Sequence, residues 1–294
     1  MAHLQVEAAE ALLDSPIPVL DHGFVRLVDY LGGDDRIVQS ARVSYGAGTK
    51  TVRQDRALIH YLMQHRHTSP FEQVQLTFHT KMPVFVARQW VRHRTARLNE
   101  ISGRYSVMAD EFYVPQPDQV SYQSASNKQG RSGPLPPDEA AAIIGTLTEA
   151  QRRAYAEYEA LLSQGVAREL ARVTLPISLY TEWYWQIDLH NLFHFLALRL
   201  DPHAQYEIRV YAEAMARCAQ AVAPMAYEAF EEHVRGALTF SRTEAAALAD
   251  LLAGRPTRLE GKPLARFEAK LEALRATHAP AEAPDEFVPP SDGA

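Results

Sequence analysis

The stretch FEQVQLTFHTKMPVFVARQWVRHRTARLNEISGRYS, residues 71–106, changes its hydrophobic period midway. Phe71, Val74, Leu76 and Phe78 suit a strand, with one slip in the alternation that allows a β-bulge. Pro83 then fits the first turn of a helix, PVFVARQWVRHR. The C-terminal end of that helix delivers Arg92, His93 and Arg94 into a loop, TARLNEISG. Five arginines fall between positions 88 and 106 of a chain whose formal net charge is -6. A solvated helix face would account for them, as would a nucleic-acid patch or a pocket built for a bound anion.

Outward from this stretch, strands and helices mix without a regular βαβ rhythm. GFVRLVDYLG (23–32) alternates as a strand, and Asp34 or Asp35 offers an N-cap for a short helix after it. Residues 51–65 place Leu58, Tyr61 and Leu62 on one helical face. Thr68-Ser69-Pro70 reads as a turn. Residues 115–137, rich in Pro, Gln, Ser and Gly, read as a long mobile loop or lid. Helical spacing resumes over 138–164, and a shorter helix ends at Pro176. ISLYTEWYWQID is aromatic and β-branched, hence a strand; two helices follow, LHNLFHFLALRL and HAQYEIRVYAEAMARCAQAVA. Residues 243–253 and 261–277 are helical in pattern. The fold class is therefore α/β of the α+β type rather than a doubly wound sheet. Residues 1–235 form the expected catalytic domain, 236–277 a helical extension packed on it, and 278–294 a disordered tail.

Composition narrows the function. The chain has 294 residues, 47% hydrophobic, enough for a large core. No apolar run reaches the roughly 18–20 residues of a membrane helix, and the N-terminus lacks a signal-peptide pattern. One cysteine, Cys218, leaves no intrachain disulfide, so a cytoplasmic protein is expected. The acidic balance argues against a general nucleic-acid binder. There is no GxGxxG, no P-loop and no CxxC.

The remaining chemistry lies in four clusters. In RHRTARLNEISGR, Ser102-Gly103-Arg104 form a compact turn where backbone N–H groups can approach an anion that guanidinium groups clamp. His67, Ser69 and Glu72 bracket the proline turn. Arg172 precedes the Pro176 helix end. In IDLHNLFHFLALR, Asp188 can N-cap the helix, and His190 and His194, four apart, share a face. Two such histidines could hold a metal, but Asn191 stands where HExxH has its glutamate, so no metal is expected. Cys218 sits in an alanine-rich helical pattern and reads as a core thiol.

These blocks resemble, in order, those of the flavin-dependent thymidylate synthases: HTSPFE, FVARQWVRHR, LNEISGRYS, ARVTLP and NLFHFLALR with HAQYEIR, over roughly residues 23–232. Arg92-His93-Arg94, then seven residues, then Ser102, matches the family signature. The resemblance implies an α/β fold with a central mixed or antiparallel sheet, assembled as a homotetramer whose active sites draw on several subunits. It implies reductive methylation of dUMP to dTMP. Methylenetetrahydrofolate is the carbon donor, and FAD reduced by NADPH is the hydride source. By position, Ser69, Arg92, His93, Arg94, Glu100, Asp188, Leu189, His190 and His194 resemble FAD contacts. Gln89, Trp90, Val91 and Arg92 resemble the dUMP side contributed by a neighbouring subunit. Glu100, Ile101, Ser102, Gly103 and Arg104 would hold dUMP, with the Ser-Gly-Arg turn around its phosphate and Arg172 as a further contact. Arg199 resembles the residue that activates dUMP by favouring ionisation at N3. Arg97 stands where many members carry Ser, and Asp188, His190 and His194 stand where others carry Asn, Arg and Asn. A flavin route needs no enzyme nucleophile, consistent with a lone core cysteine. A flavin- and folate-dependent RNA uracil methyltransferase is the alternative, and it calls for a broad basic surface and a Rossmann-type flavin turn, neither of which is visible.

Overall fold

The structure is a computed structural model that describes residues 4–43, 52–125 and 130–277. The chain folds as two compact units, one ending at Arg235 and the other running from Gly236 onward. The expected tail, 278–294, lies outside the described residues.

Five strands of the first unit form one sheet in the order β1-β2-β3-β7-β4, every pair antiparallel. They are β1 (Ile17–Val19), β2 (Gly23–Leu31), β3 (Gln75–Pro83), β4 (Arg97–Glu100) and β7 (Tyr180–Asp188). β5 (Ser121–Gln123) and β6 (Arg131–Pro134) make a separate hairpin. The helices of this unit are α1 (Glu7–Glu10), α2 (Asp34–Arg42), α3 (Val52–Gln64), α4 (Val84–Trp90), α5 (Pro137–Ser163), α6 (Arg168–Ala171), α7 (Leu189–Arg199), α8 (Tyr206–Val222) and α9 (Pro224–Phe230).

Period-2 alternation selects the buried face of the sheet. Val25, Leu27, Leu76, Phe78, Met82, Trp183, Trp185 and Ile187 point inward. They pack with the apolar faces of α7 and α8, including Phe195, Leu196, Tyr211 and Met215, in one continuous core. The opposite face carries Arg26, His79, Glu182 and Tyr184; the His79 ring nitrogens bond Arg26 and Glu182 at 3.0 Å each, and the ring stacks on Tyr184.

Four sequence expectations change here. The alternation slip near Phe71 is a 3-10 turn, Phe71–Gln73, and β3 is regular after it. The bulge belongs to β2 instead: Leu27 pairs with Phe78 and Asp29 with Thr77, so Val28 is the extra residue and Tyr30 turns inward. Asp34 does not cap α2, whose N-cap is Gly33. Its carboxylate accepts from the Met225 and Ala226 N–H groups at 2.7 and 2.9 Å, capping α9 across the fold. Residues 97–100 are an edge strand, not loop, because β7 has a free edge that pairs Arg97 with Gln186 through Glu100 with Trp183.

The 115–137 segment is also more ordered than a lid. A 3-10 turn at Pro117–Gln119 leads into the β5–β6 hairpin, and Arg131 ties it to the buried Glu207 of α8 at 2.5 Å. Positions 126–129 lie outside the described residues. The second unit holds α10 (Arg242–Leu252) and α11 (Gly261–Thr277). A capping box between Ser241 and Glu244 starts α10, and Lys270 reaches back to Glu244 at 2.7 Å and to the Thr239 carbonyl at 2.8 Å.

Candidate active site

α4 ends at Trp90, just before the basic triplet, so Arg92, His93 and Arg94 lie past the helix rather than on it. The inward face of α4 holds this end in place: Trp90 is fully buried against Trp183, Trp185, Phe195 and Tyr211. The indole therefore anchors the segment, and only the backbone of Trp90 is left to meet a ligand. Leu189 is likewise sealed in the core, with its N–H donating to the Val74 carbonyl at 2.8 Å.

Past the anchor, His93 meets the C-terminal end of α7. Arg199 Nε donates to His93 Nε2 at 3.1 Å. A guanidinium only donates, so this bond places the imidazole proton on Nδ1. Burial, reinforced by the nearby Arg199 and His194, lowers the His93 pKa to about 4. His93 is thus neutral at physiological pH and acts as a fixed acceptor. Arg199, half-buried, has its own pKa lowered by burial yet stays a cation. Its Nη groups have no partner among the described residues. Gln89, on the last turn of α4, donates to Gln205 at the start of α8.

Around these, Arg92, Arg94 and Arg97 are exposed and make no ion pair among the described residues. Unpaired guanidinium groups beside a neutral histidine and a half-buried Arg199 form an anion-receptive surface.

A second group forms around the end of β4. Glu100 accepts from Thr181 Oγ1 at 2.6 Å, and the Ile101 N–H donates to the Glu182 carbonyl at 2.9 Å. The chain then turns at Ser102, whose carbonyl accepts from the Tyr105 and Ser106 N–H groups. Gly103 is buried there, and a Cβ on it would come within 3.0 Å of Met108 Sδ and 3.1 Å of Arg172 Cδ. The glycine thus lets Arg172 lie against the turn. Arg104 pairs with Glu169 of α6 at 3.1 Å. Sequence reasoning missed Thr181 and Glu169, which meet these residues only through folding.

The third group sits at the start of α7. Asp188 caps the helix, accepting from the Asn191 N–H at 2.9 Å and its side-chain amide at 2.7 Å, as the sequence suggests. This carboxylate is therefore engaged by its own helix. Ser69 lies on the turn leading into Phe71–Gln73, which packs on α7. His190 is half-buried and His194 exposed, its ring 6.2 Å from that of His93. No set of three or more His, Cys, Asp or Glu among the described residues is placed to hold a metal.

One strand separates these groups. Glu100 bonds Thr181, whereas Asp188 is seven residues further along β7, about 23 Å at strand rise. A single protomer therefore does not close one pocket around all the residues named above.

An antiparallel sheet with an arginine-lined, anion-receptive surface and no GxGxxG turn defines an α+β protein suited to anionic ligands. The comparisons with known proteins agree. The model of the family described as thymidylate synthase complementing protein matches residues 26–225, and that of the thymidylate synthase ThyX C-terminal domain matches 238–277. The flavin-dependent thymidylate synthase of Treponema pallidum is 57% identical over 274 residues, covering 93% of this chain and 90% of that protein. One from Thermus thermophilus is 60% identical over 236 residues, 80% of this chain and 86% of that protein. Among solved structures, a UMP/dUMP methylase, PolB, from Streptomyces cacaoi, bound with 5-Br dUMP, superimposes with a TM-score of 0.69 at 34% identity. The match covers 74% of this chain and 99% of that one. The chain belongs to the flavin-dependent thymidylate synthase family.

Proposed function

We propose that this chain makes dTMP from dUMP in the cytoplasm. Methylenetetrahydrofolate supplies the carbon and NADPH-reduced FAD the hydride, and the enzyme works as a homotetramer. The observation that carries this reading is the Arg199–His93 contact. It spends Nε of the guanidinium on a neutral histidine and leaves the Nη fork free, half-buried, for a substrate.

Beside N3 of uracil, that fork stabilises the anion formed on N3 ionisation and so polarises the ring for attack from C5. Arg199 acts by its field, since it does not give up its proton at working pH. Ser102, Gly103, Arg104 and Arg172 receive the nucleotide phosphate, with Gln89 and Glu100 holding the rest of dUMP. Binding there requires Arg104 to exchange Glu169 for phosphate, an exposed ion pair that contributes little.

The flavin site fits the residues present. Among the described residues Arg92 and Arg94 make no ion pair and suit its diphosphate, with Ser69 on the turn beside α7 and His190 and His194 on that helix. When bound, FAD supplies the hydride that completes the methyl group. Cys218 is fully buried in α8, its thiol pushed by burial up to about 12, so it is no nucleophile. The separation of about 23 Å along β7 supports sharing between subunits: Arg92, Arg94 and Asp188 of one protomer face the phosphate turn of another. Release of tritium from dUMP labelled at C5, dependent on NADPH and the folate, tests the reaction; a flavin-loaded protein that releases none refutes it.

A further inference from the structure

A line of hydrogen bonds runs from the β5–β6 hairpin to the end of α4. Arg131 Nη2 donates to Glu207 Oε1 at 2.5 Å, and Tyr113 Oη donates to the same oxygen at 3.0 Å. Gln205 Nε2 donates to Glu207 Oε2 at 2.8 Å. Gln89 Nε2 in turn donates to Gln205 Oε1. Glu207 is 2% exposed, so it has little recourse to water.

The polarity of this line has one origin. Burial acts to raise the Glu207 carboxyl, but the Arg131 hydrogen bond and charge outweigh it and hold the pKa below its ordinary value. Burial and the Glu207 charge hold the Tyr113 hydroxyl protonated as a donor. An ionised carboxylate only accepts. It therefore forces Gln205 to present its NH2 and to turn its carbonyl toward Gln89. Gln89 must then direct one N–H of its amide to Gln205. Its carbonyl oxygen has no partner among the described residues and is left as an acceptor. A glutamine alone can exchange the two ends of its amide; this one cannot, so the side that carries the oxygen is fixed.

We propose that Glu207, held by Arg131 of the hairpin, is a positioning residue that fixes Gln89 as a hydrogen-bond acceptor for the bound nucleotide. This rests on the reading of Gln89 as a dUMP contact. The matching donor on dUMP is the sugar 3′-hydroxyl, since N3 of uracil faces Arg199. The hairpin that the sequence shows only as a Gln-, Ser- and Gly-rich loop thereby supports substrate binding without touching substrate. Glu207→Gln keeps the shape of the side chain but not its polarity, since an amide can donate or accept toward Gln205.

The experiment is a double-mutant cycle on the FAD-loaded protein, reading dUMP affinity by calorimetry. Gln89→Leu weakens dUMP binding. Glu207→Gln alone weakens it about fivefold to tenfold, the worth of one misdirected hydrogen bond. In the Gln89→Leu background the Glu207 change has no further effect on affinity. A Glu207 effect that persists undiminished in that background overturns the relay, as does an absent Glu207 effect beside an intact Gln89 effect. A Gln89→Leu protein that binds dUMP normally overturns the reading of Gln89 and the relay with it. Should Glu207→Gln not fold, Arg131→Met decides by its pH profile. Without the guanidinium the Glu207 pKa rises, and dUMP affinity falls as pH drops and the carboxyl becomes a donor. Wild type and Arg131→Lys stay flat over the same range. A profile for Arg131→Met parallel to wild type removes Arg131 and Glu207 from this role.

Discussion

Arg199 and His93 act as a pair, in which the histidine accepts and the arginine is aimed. Arg199→Ala should lower dTMP formation by at least about 10²-fold, the usual cost of removing a preorganised donor, while FAD remains bound. Turnover close to wild type with the flavin in place would remove Arg199 from the chemistry. His93 should titrate near pH 4 by NMR rather than near its ordinary 6.5. The unfolded chain then takes up the proton first, so this group's contribution to stability is present above about pH 6.5 and is lost as pH falls toward 4. Its partial exposure moderates the size of that slope. Gly103→Ala would push Arg172 and Met108, whose atoms lie 3.1 and 3.0 Å from the added carbon. Weaker dUMP binding with unchanged flavin content is the expected outcome of an affinity measurement. Cys218→Ala should leave turnover nearly unaltered, because the thiol is a packing group; a folded but inactive variant would contradict that.

At the scale of elements, what the sequence shows depends on how local the cause is. Asp188 as a helix cap is legible because donor and acceptor lie three residues apart. The β3 and β7 strands are legible because Leu76, Phe78, Trp183 and Trp185 keep a two-residue period on a buried face. β4 is not: its four residues are all exposed, with no alternation, and only the free edge of β7 makes them a strand. Trp90 and Leu189 belong to recognisable site blocks, yet a motif does not say whether a residue meets ligand by side chain or by backbone. Asp34 looks like the cap of its own helix, but its partners are 191 and 192 residues away. Replacing it with Ala should cost about 1–2 kcal/mol in chemical denaturation, the worth of a cap. Burial raises its pKa to about 6 from 3.8. The folded state therefore holds this proton more tightly, and the stability it confers is present below about pH 4 and lost as pH rises through 6. The Ala variant should lack that slope; an identical pH dependence would mean Asp34 is not the group responsible.

On the proposed reading, the assembly brings together what one protomer holds apart. Glu100 and Asp188 hang at opposite ends of β7, and the anion-receptive arginines stand on a third segment. Two inactive variants with lesions in different groups, Arg92→Ala and Arg104→Ala, should therefore regain part of their dTMP synthesis when unfolded and refolded together. Mixed assemblies then contain some sites with neither lesion. Homogeneous variants stay inactive, and failure of complementation by soluble mixed tetramers would place the whole site within one subunit. No helix among the described residues is long and apolar enough to cross a membrane. The reaction itself is tested most simply by tritium release from dUMP labelled at C5. With FAD, NADPH and methylenetetrahydrofolate present, wild-type protein should release tritium and form dTMP in step, and Cys218→Ala should do the same. Release that requires Cys218, or a flavin-loaded tetramer that releases none, would contradict the account.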